Sequence, residues 1–396
     1  MYQITKNQIQ DFIFSLNDNK GGFYLQKGFN QSTLMSTSFS ILTLELIDSL
    51  NILKKKKYKE FFLQNQDKKS GLFIDPLSSL KDANSIDLES SYIHYQTTAF
   101  SLSAIDALGG HPNHKLAFLD SFRGKKKLSS FFHTIDWKNA WHESNKIMFL
   151  LQFFSYDFLK NKNKDSYDNI VFILDFLDNY QDPRTGLWGT QYKASTFVGM
   201  AAAYHFLIFY KYFNRKINFP NKIFQNVFIL QMKDGLFHPF GGGGACEDLD
   251  AIDVVSKVTS ELSADSINHI KLAYNALIQN YDKNGGFCWA KRPQFPFLNG
   301  IKYLNPRSAL FNYDMVKWII KNNYIGSFLP FFRENYVYKY SNWDQMKFNI
   351  KISDSWSTWF RLLSIATLEK LSPDLKKNDI NFKFRGLPSI GWLNDK

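Results

Sequence analysis

Gln231-Met-Lys-Asp-Gly235-Leu-Phe237 and, with one residue more, Gln181-Asp-Pro-Arg-Thr-Gly186-Leu-Trp188 are two copies of one pattern: a glutamine, a polar cluster, a glycine and an aromatic ring two places on. The turn recurs as NDNKGGF at 17–23, DKKSGLF at 67–73 and DKNGGF at 282–287. Its glycines, Gly21, Gly71, Gly186, Gly235 and Gly285, fall about 50 residues apart, with one gap of a little over two periods that a degenerate turn near Arg123-Gly124-Lys125 would fill. A fixed period of this length marks a repeated supersecondary unit.

The segments between the turns are helical in pattern. Apolar residues recur at three- and four-residue spacing in 36–53, 97–108, 146–158, 170–180, 197–213 and 267–281. A glutamine stands shortly before several turns, at Gln64, Gln181, Gln231 and Gln279. Each period therefore fits two helices, an inner one and an outer one that runs into the turn. Five to six such pairs close into an all-α fold, a single α/α toroid with a central cavity. No Pro/Gly/Ser linker divides the chain, so residues 1–396 read as one domain: a repeat region over about 17–290, with C-terminal helices in 291–396 completing the barrel.

The Gln–Gly–aromatic copies resemble the Gln–Trp repeats of the squalene/terpene cyclase and protein prenyltransferase superfamily. The resemblance covers most of the chain and implies the toroid. It does not by itself fix the chemistry, because polysaccharide lyases and several glycosidases also use helical toroids.

Composition narrows the function. Hydrophobic residues make up 44% of the chain and aromatics 17%, with 39 Phe, 20 Tyr and 9 Trp, which implies a large core and an aromatic-lined pocket. The net charge of +12 comes from dispersed lysines, apart from 54–57 and 125–127, and forms no stripe of the kind nucleic acid requires. Two cysteines, Cys246 and Cys288, make no disulfide framework and suggest a reducing compartment. The longest apolar run, near 197–210, is too short to span a membrane. The N-terminus lacks the pattern of a signal peptide, and the expected location is cytoplasmic. P-loop, G-x-G-x-x-G, C-x-x-C, H-E-x-x-H and G-x-S-x-G motifs are absent.

The segment from Phe240 through Gly241–Gly244, Ala245, Cys246, Glu247, Asp248, Leu249, Asp250, Ala251, Ile252 and Asp253 is the first candidate site. On a helix Glu247, Asp250 and Asp253 share one face, Cys246 lies near the same arc, and Asp248 points to the other side. Clustered carboxylates raise each other's pKa, which keeps one protonated as a general acid. The glycines would bring backbone close to a ligand and expose amides at a helix start. The competing reading makes Glu247 and Asp248 ordinary first-turn acids.

The resemblance adds that class II terpene cyclases protonate an isoprenoid with an Asp-x-Asp-Asp motif. Asp248-Leu-Asp250-Ala-Ile-Asp253 is similar, with the last Asp displaced by two. The related prenyltransferases hold zinc with Asp, Cys and His. Here no cofactor is expected, and Cys246 is the place where a metal, zinc or magnesium, would enter.

Polar and aromatic residues among apolar inner-helix positions form the second set. They are His94, Tyr95 and Gln96; Trp141, Glu143 and Asn145; Tyr204 and His205; Trp289 and Lys291, with Arg292 beside them; and Asp354, Trp356 and Arg361. In a toroid these would converge at one mouth. The sequence favours an enzyme, with two readings of its chemistry. In the first, Asp248, Asp250, Asp253, Glu247 and His205 carry acid–base chemistry on an isoprenoid in an aromatic cavity. In the second, a carbohydrate-active toroid, lyase or hydrolase, acts on an acidic glycan. Either way the expected partner is a small molecule or an oligosaccharide, and the positive net charge would suit an anionic one.

Overall fold

The computed structural model describes residues 4–78, 88–239, 241–259, 262–291 and 337–393. Among these residues twelve α-helices alternate between two rings. The outer ring holds α1 (Lys6–Ser15), α3 (Lys55–Leu63), α5 (Lys125–Phe132), α7 (Lys164–Asn179), α9 (Pro220–Ile229) and α11 (Ala264–Ile278). The inner ring holds α2 (Leu34–Leu46), α4 (Leu88–Ala107), α6 (Ala140–Asn161), α8 (Thr196–Tyr212), α10 (Ala245–Val258) and α12 (Ser355–Leu371). Each inner helix packs on the next in chain order, and α12 packs back on α2, so the inner ring is closed. The expected α/α toroid is present, with six pairs.

Burial separates the rings. In α8 every residue from Phe197 to Tyr210 is buried, as a helix apolar on all sides requires. In α7 burial is confined to a stripe of Ser166, Asn169, Ile170, Ile173, Leu174 and Leu177. Three of the inner helices begin at side-chain caps. Thr33 and Ser36 form a capping box on α2, Ser195 accepts from the Val198 amide on α8, and Asp354 accepts from the Ser357 amide on α12. The run near 197–210 is thus a core helix, and no described helix is long and apolar enough to cross a membrane.

The repeated turns join each outer helix to the following inner one. Four close with a single bridge: Asn17 to Phe23, Gln66 to Phe73, Gln181 to Trp188 and Tyr281 to Phe287. All five turn glycines have left-handed φ. That conformation is joined to close packing, since a Cβ at Gly71 would lie 1.9 Å from the Lys115 carbonyl oxygen and one at Gly285 2.0 Å from that of Gln8. Each turn abuts the next outer segment, and the Gly285 turn abuts α1, closing the outer ring as well. The glutamines tie the same joint. The side-chain amide of Gln181 donates to Gly186 and Asn218, that of Gln231 to Gly235 and His269, and that of Gln66 to Gly71 and His114.

Three sequence expectations shift here. The glutamine of the second turn is Gln66 and not Gln64, because Gln66 is the bridging residue. In the last turn Tyr281, and not Gln279, makes the bridge. The degenerate sixth turn is 133–139 and not 123–125: it follows α5, whereas Gly124 precedes α5 as its N-cap. There Trp137 supplies the ring, stacked on Tyr180 and Phe176 of the next outer helix.

Beyond the helices, β1 (Val337–Lys339) and β2 (Lys347–Asn349) form an antiparallel ribbon. After α12 the chain continues through 380–393 as a strap without helix or sheet, which turns back on itself where Arg385 bridges Trp392.

Candidate active site

A cavity of about 260 Å³ lies inside the inner ring. Its wall is set by helical spacing. Tyr92, Gln96 and Phe100 recur every fourth residue on α4; Trp141, His142, Asn145, Met148 and Phe149 share one face of α6; and Trp356 and Phe360 do so on α12. Tyr204 and His205 of α8 and Cys246 of α10 complete the wall, with Asn139 beside the start of α6. Tyr338, Tyr340, Ser341 and Asn342 of the ribbon cover the mouth where the inner helices begin, and Ile390 of the strap reaches in from the other end. The ribbon is fastened across the mouth by Gln96, whose amide donates to Tyr340 Oη at 3.1 Å and whose oxygen accepts from Ser341 Oγ at 2.7 Å.

Nine of the nineteen wall residues are Phe, Tyr or Trp, and rings of this kind present negative faces to a cation. His205 is held by Ser144 Oγ, 2.7 Å from its Nδ1, and burial pushes its imidazole down to about 3, so it is neutral at physiological pH.

The acidic segment lies at the start of α10, and its carboxyls have separate fates. Asp248 faces away from the cavity, as the helical wheel requires. Its oxygens accept from the Phe237 amide at 2.8 Å and the Gly244 amide at 3.1 Å, and one of them pairs with Arg361 at 3.1 Å. Asp253 pairs with Lys257 one turn on. Glu247 stands 3.7 Å from His238, and burial raises its carboxyl to about 8 while pushing the imidazole down to about 3. Among the described residues Asp250 has no cationic partner. Its Oδ1 meets Cys246 Sγ at 3.9 Å, and its Oδ2 has no hydrogen-bond partner. Burial first, and then the neighbouring Glu247 and Asp253, hold the Asp250 carboxyl well above the usual range, which favours its protonated form. It sits behind Cys246 and Tyr204, and Tyr204 Oη likewise has no hydrogen-bond partner.

The glycine run serves these carboxyls and not a ligand. A Cβ at Gly243 would lie 2.7 Å from Asp248 Oδ2, and one at Gly244 2.2 Å from Glu247 Oε2. The amides expected to be exposed are also taken, Gly244 by Asp248 and Gly242 by Asp234.

Of the residues singled out in the sequence, Gln96, Trp141, Asn145, Tyr204, His205, Cys246 and Trp356 line the cavity. Others are placed elsewhere. Tyr95 packs outward among Phe118, Phe122 and Phe153, and His94 bonds Ser78. Glu143 pairs with Lys146 at 2.9 Å. Trp289 stacks behind Trp356 and Tyr338, and the Lys291 ammonium donates to the Tyr281 carbonyl. Asp354 caps α12. Arg361, expected to hold an anion, is fully buried; besides Asp248 it donates to the Cys288 and Trp289 carbonyls. Phe240 and Arg292 lie outside the described residues. The residues not anticipated, Tyr92, Phe100 and Phe149 among them, share a face with those that were, at four-residue spacing.

Among the described residues no three His, Cys, Asp or Glu side chains gather to hold a metal. Cys246 meets a single carboxyl, and the two histidines of the wall lie apart from it, His205 held by Ser144 and His142 stacked on Tyr92, so among the described residues the donors present do not fit zinc or magnesium.

Glu247 makes stability pH-dependent. Its folded pKa is raised above the unfolded value, so the stability it contributes is complete below the unfolded value and is lost as pH rises through about 8. The buried histidines act below their unfolded pKa and do not oppose this in the alkaline window. Unfolding free energy is expected to fall as pH rises from about 7 to about 8, and to fall less steeply in Glu247→Gln, as denaturant titrations at each pH would show. Equal slopes would assign the dependence elsewhere.

The family model described as "Prenyltransferase alpha-alpha toroid domain" matches residues 1–114 and 126–294. Among solved structures, the type II terpene cyclase MstE of Scytonema is similar at 12% identity and a TM-score of 0.46. A variant bound to geranylgeranyl dihydroxybenzoate (substrate) is matched over 93% of this chain and 97% of that one. A variant bound to merosterolic acid A (product) is matched over 93% and 96%, and the apo protein over 93% and 98%. No curated protein matches the chain.

Proposed function

This chain belongs to the prenyltransferase alpha-alpha toroid family, and from that premise we propose that it is an enzyme that cyclises a linear isoprenoid by protonation. The observation that carries the reading is Asp250: a buried carboxyl whose protonated form burial favours, with one oxygen unpartnered, directly behind the wall of an aromatic cavity. The Cys246 side chain lies between Asp250 and the cavity, and the proposed proton path runs past it.

The Asp250 O–H bond breaks as a C–H bond forms at the terminal alkene, leaving a carboxylate and a tertiary carbocation. The π pair of an internal alkene closes a ring onto that cation, and the faces of Trp141, Trp356 and Tyr204 stabilise the migrating charge. Neutral His205 is placed to take the final proton; a carbocation is acid enough to yield it even to an imidazole of lowered pKa. One proton enters and one leaves, so the product is an isomer of the substrate. Solvent returns the proton to Asp250, and no metal is used in these steps. Gln96, Asn139, Asn145, Ser341 and Asn342 at the mouth suit a polar end that accepts and donates hydrogen bonds. The whole chain, 1–396, is read as one toroid domain, because α12 closes the inner ring.

The glycan alternative keeps Tyr204, His205 and Asn145 on the cavity wall, but the carboxylate pair that hydrolysis would need is not there: Glu143 is engaged with Lys146, and Asp250 lies behind Cys246.

The test is incubation in D₂O with linear isoprenoids ending in an alcohol, a phenol or a diphosphate, followed by mass spectrometry. The expected product is a cyclic isomer carrying one solvent deuterium on the carbon that accepted the proton. Cyclisation without deuterium, or no cyclic product from any member, would overturn the reading.

A further inference from the structure

The strap at 380–393 crosses the C-terminal halves of all six inner helices. The Lys383 amide donates to the Leu46 carbonyl at the end of α2, and Arg385 pairs with Glu45 at 2.6 Å and donates to the Ser103 carbonyl of α4 at 3.1 Å. Gln152 and Tyr156 of α6 face Arg385, Leu387 and Ser389 across a small void. Trp392 packs on Tyr212 of α8 with ring centroids 5.5 Å apart and lies beneath Lys257 of α10 at 6.0 Å. Lys370 of α12 lies 5.5 Å over Phe384. Arg385, with 5% exposure, is the anchor.

The lining residues order themselves by depth. Tyr92, Trp141 and Trp356 are near the mouth, while Phe100, Phe149 and Phe360 are two turns or one turn further along the same helices. The next residues along, Leu102, Ser103 and Gln152, already face the strap and not the cavity. Eight residues from Tyr92 to Phe100 make the lined depth about 12 Å. At the bottom of it stands Ile390, the only strap residue among the described lining.

We propose that this strap is the floor of the cavity and that Ile390 is a specificity-determining residue, fixing the length of hydrocarbon chain the cavity accepts. The inference deepens the isoprenoid reading and rests on it only for the natural chain. The floor itself is a property of the cavity and is tested without turnover.

The probe is a homologous series of straight-chain 1-alkanols, with binding followed by the fluorescence of the cavity tryptophans. Affinity is expected to rise about fourfold per added methylene until the tail meets Ile390, and then to stop rising. In Ile390→Ala, which removes three carbons, the plateau should begin about three carbons later. In Ile390→Phe it should begin earlier, so the two variants bracket the wild type with opposite signs, and thermal melts confirm that each is folded. A plateau at the same chain length in all three proteins, or no alkanol binding at all, would overturn the floor. A shifted plateau in a protein that cyclises no isoprenoid would leave the floor standing and remove the proposed reaction.

Discussion

Asp250→Asn is expected to remove cyclisation while leaving the fold intact. If Asp250 is the proton source, the amide that replaces it is not acid enough to protonate an alkene, and the rate should fall on the order of 10³-fold or more. Stability should move by no more than about 1 kcal/mol, because burial favours the neutral form of the wild-type carboxyl and Asn matches that form in size and charge. That combination separates the proposed role from a structural one. A carboxylate bound in an ion pair would give the opposite result, a large loss of stability. The raised pKa also predicts that wild-type turnover does not decline across the ordinary carboxylate range. Turnover within a few-fold of wild type, measured on whichever isoprenoid is cyclised, would remove Asp250 from the chemistry.

The toroid was legible because its determinants are local. A glycine at left-handed φ followed two places on by a ring is visible in a few residues, and five copies fix the period. The errors also have local causes. Glycine alone marked 123–125 as the missing turn, but that glycine caps a helix, and the true turn at 133–139 keeps the ring at Trp137 without a glycine. Gln64 and Gln66 are both near the second turn, and only pairing across it shows which one bridges.

The site was legible in part, for a geometric reason. His94, Tyr95 and Gln96 are neighbours in sequence and cannot share one helical face, so only Gln96 reaches the cavity, together with Tyr92 and Phe100 four places to either side. The ribbon at 337–349 and Ile390 come from far along the chain, and no spacing rule connects them to α4 or α6. The acidic segment shows the same limit. Its pattern marked Glu247, Asp248, Asp250 and Asp253 together, but the assignment of roles depends on Arg361 and Lys257, since a carboxyl that acquires a cation is held as a salt and one that does not remains an acid.

Arg361→Met is expected to be the most destabilising single change at this site. Arg361 and Asp248 are both fully buried and paired at 3.1 Å, and through them α12, the first turn of α10, the 233–237 turn and the carbonyls of Cys288 and Trp289 are joined. Removing the guanidinium leaves a carboxylate in the interior with only two backbone amides, a loss of about 3–5 kcal/mol. Burial already raises Asp248 to about 6 against the pull of Arg361. Without that cation its pKa rises further, so in the variant Asp248 takes up a proton on folding at neutral pH, and the defect should shrink as pH falls toward 5. Asp248→Asn placed on the same background removes the stranded charge and should recover part of the loss, giving a non-additive cycle. Denaturant titrations of the two single variants and the double variant at neutral and mildly acid pH decide the matter. A loss below about 1 kcal/mol, or a cycle that adds, would mean that the pair is not what joins these elements.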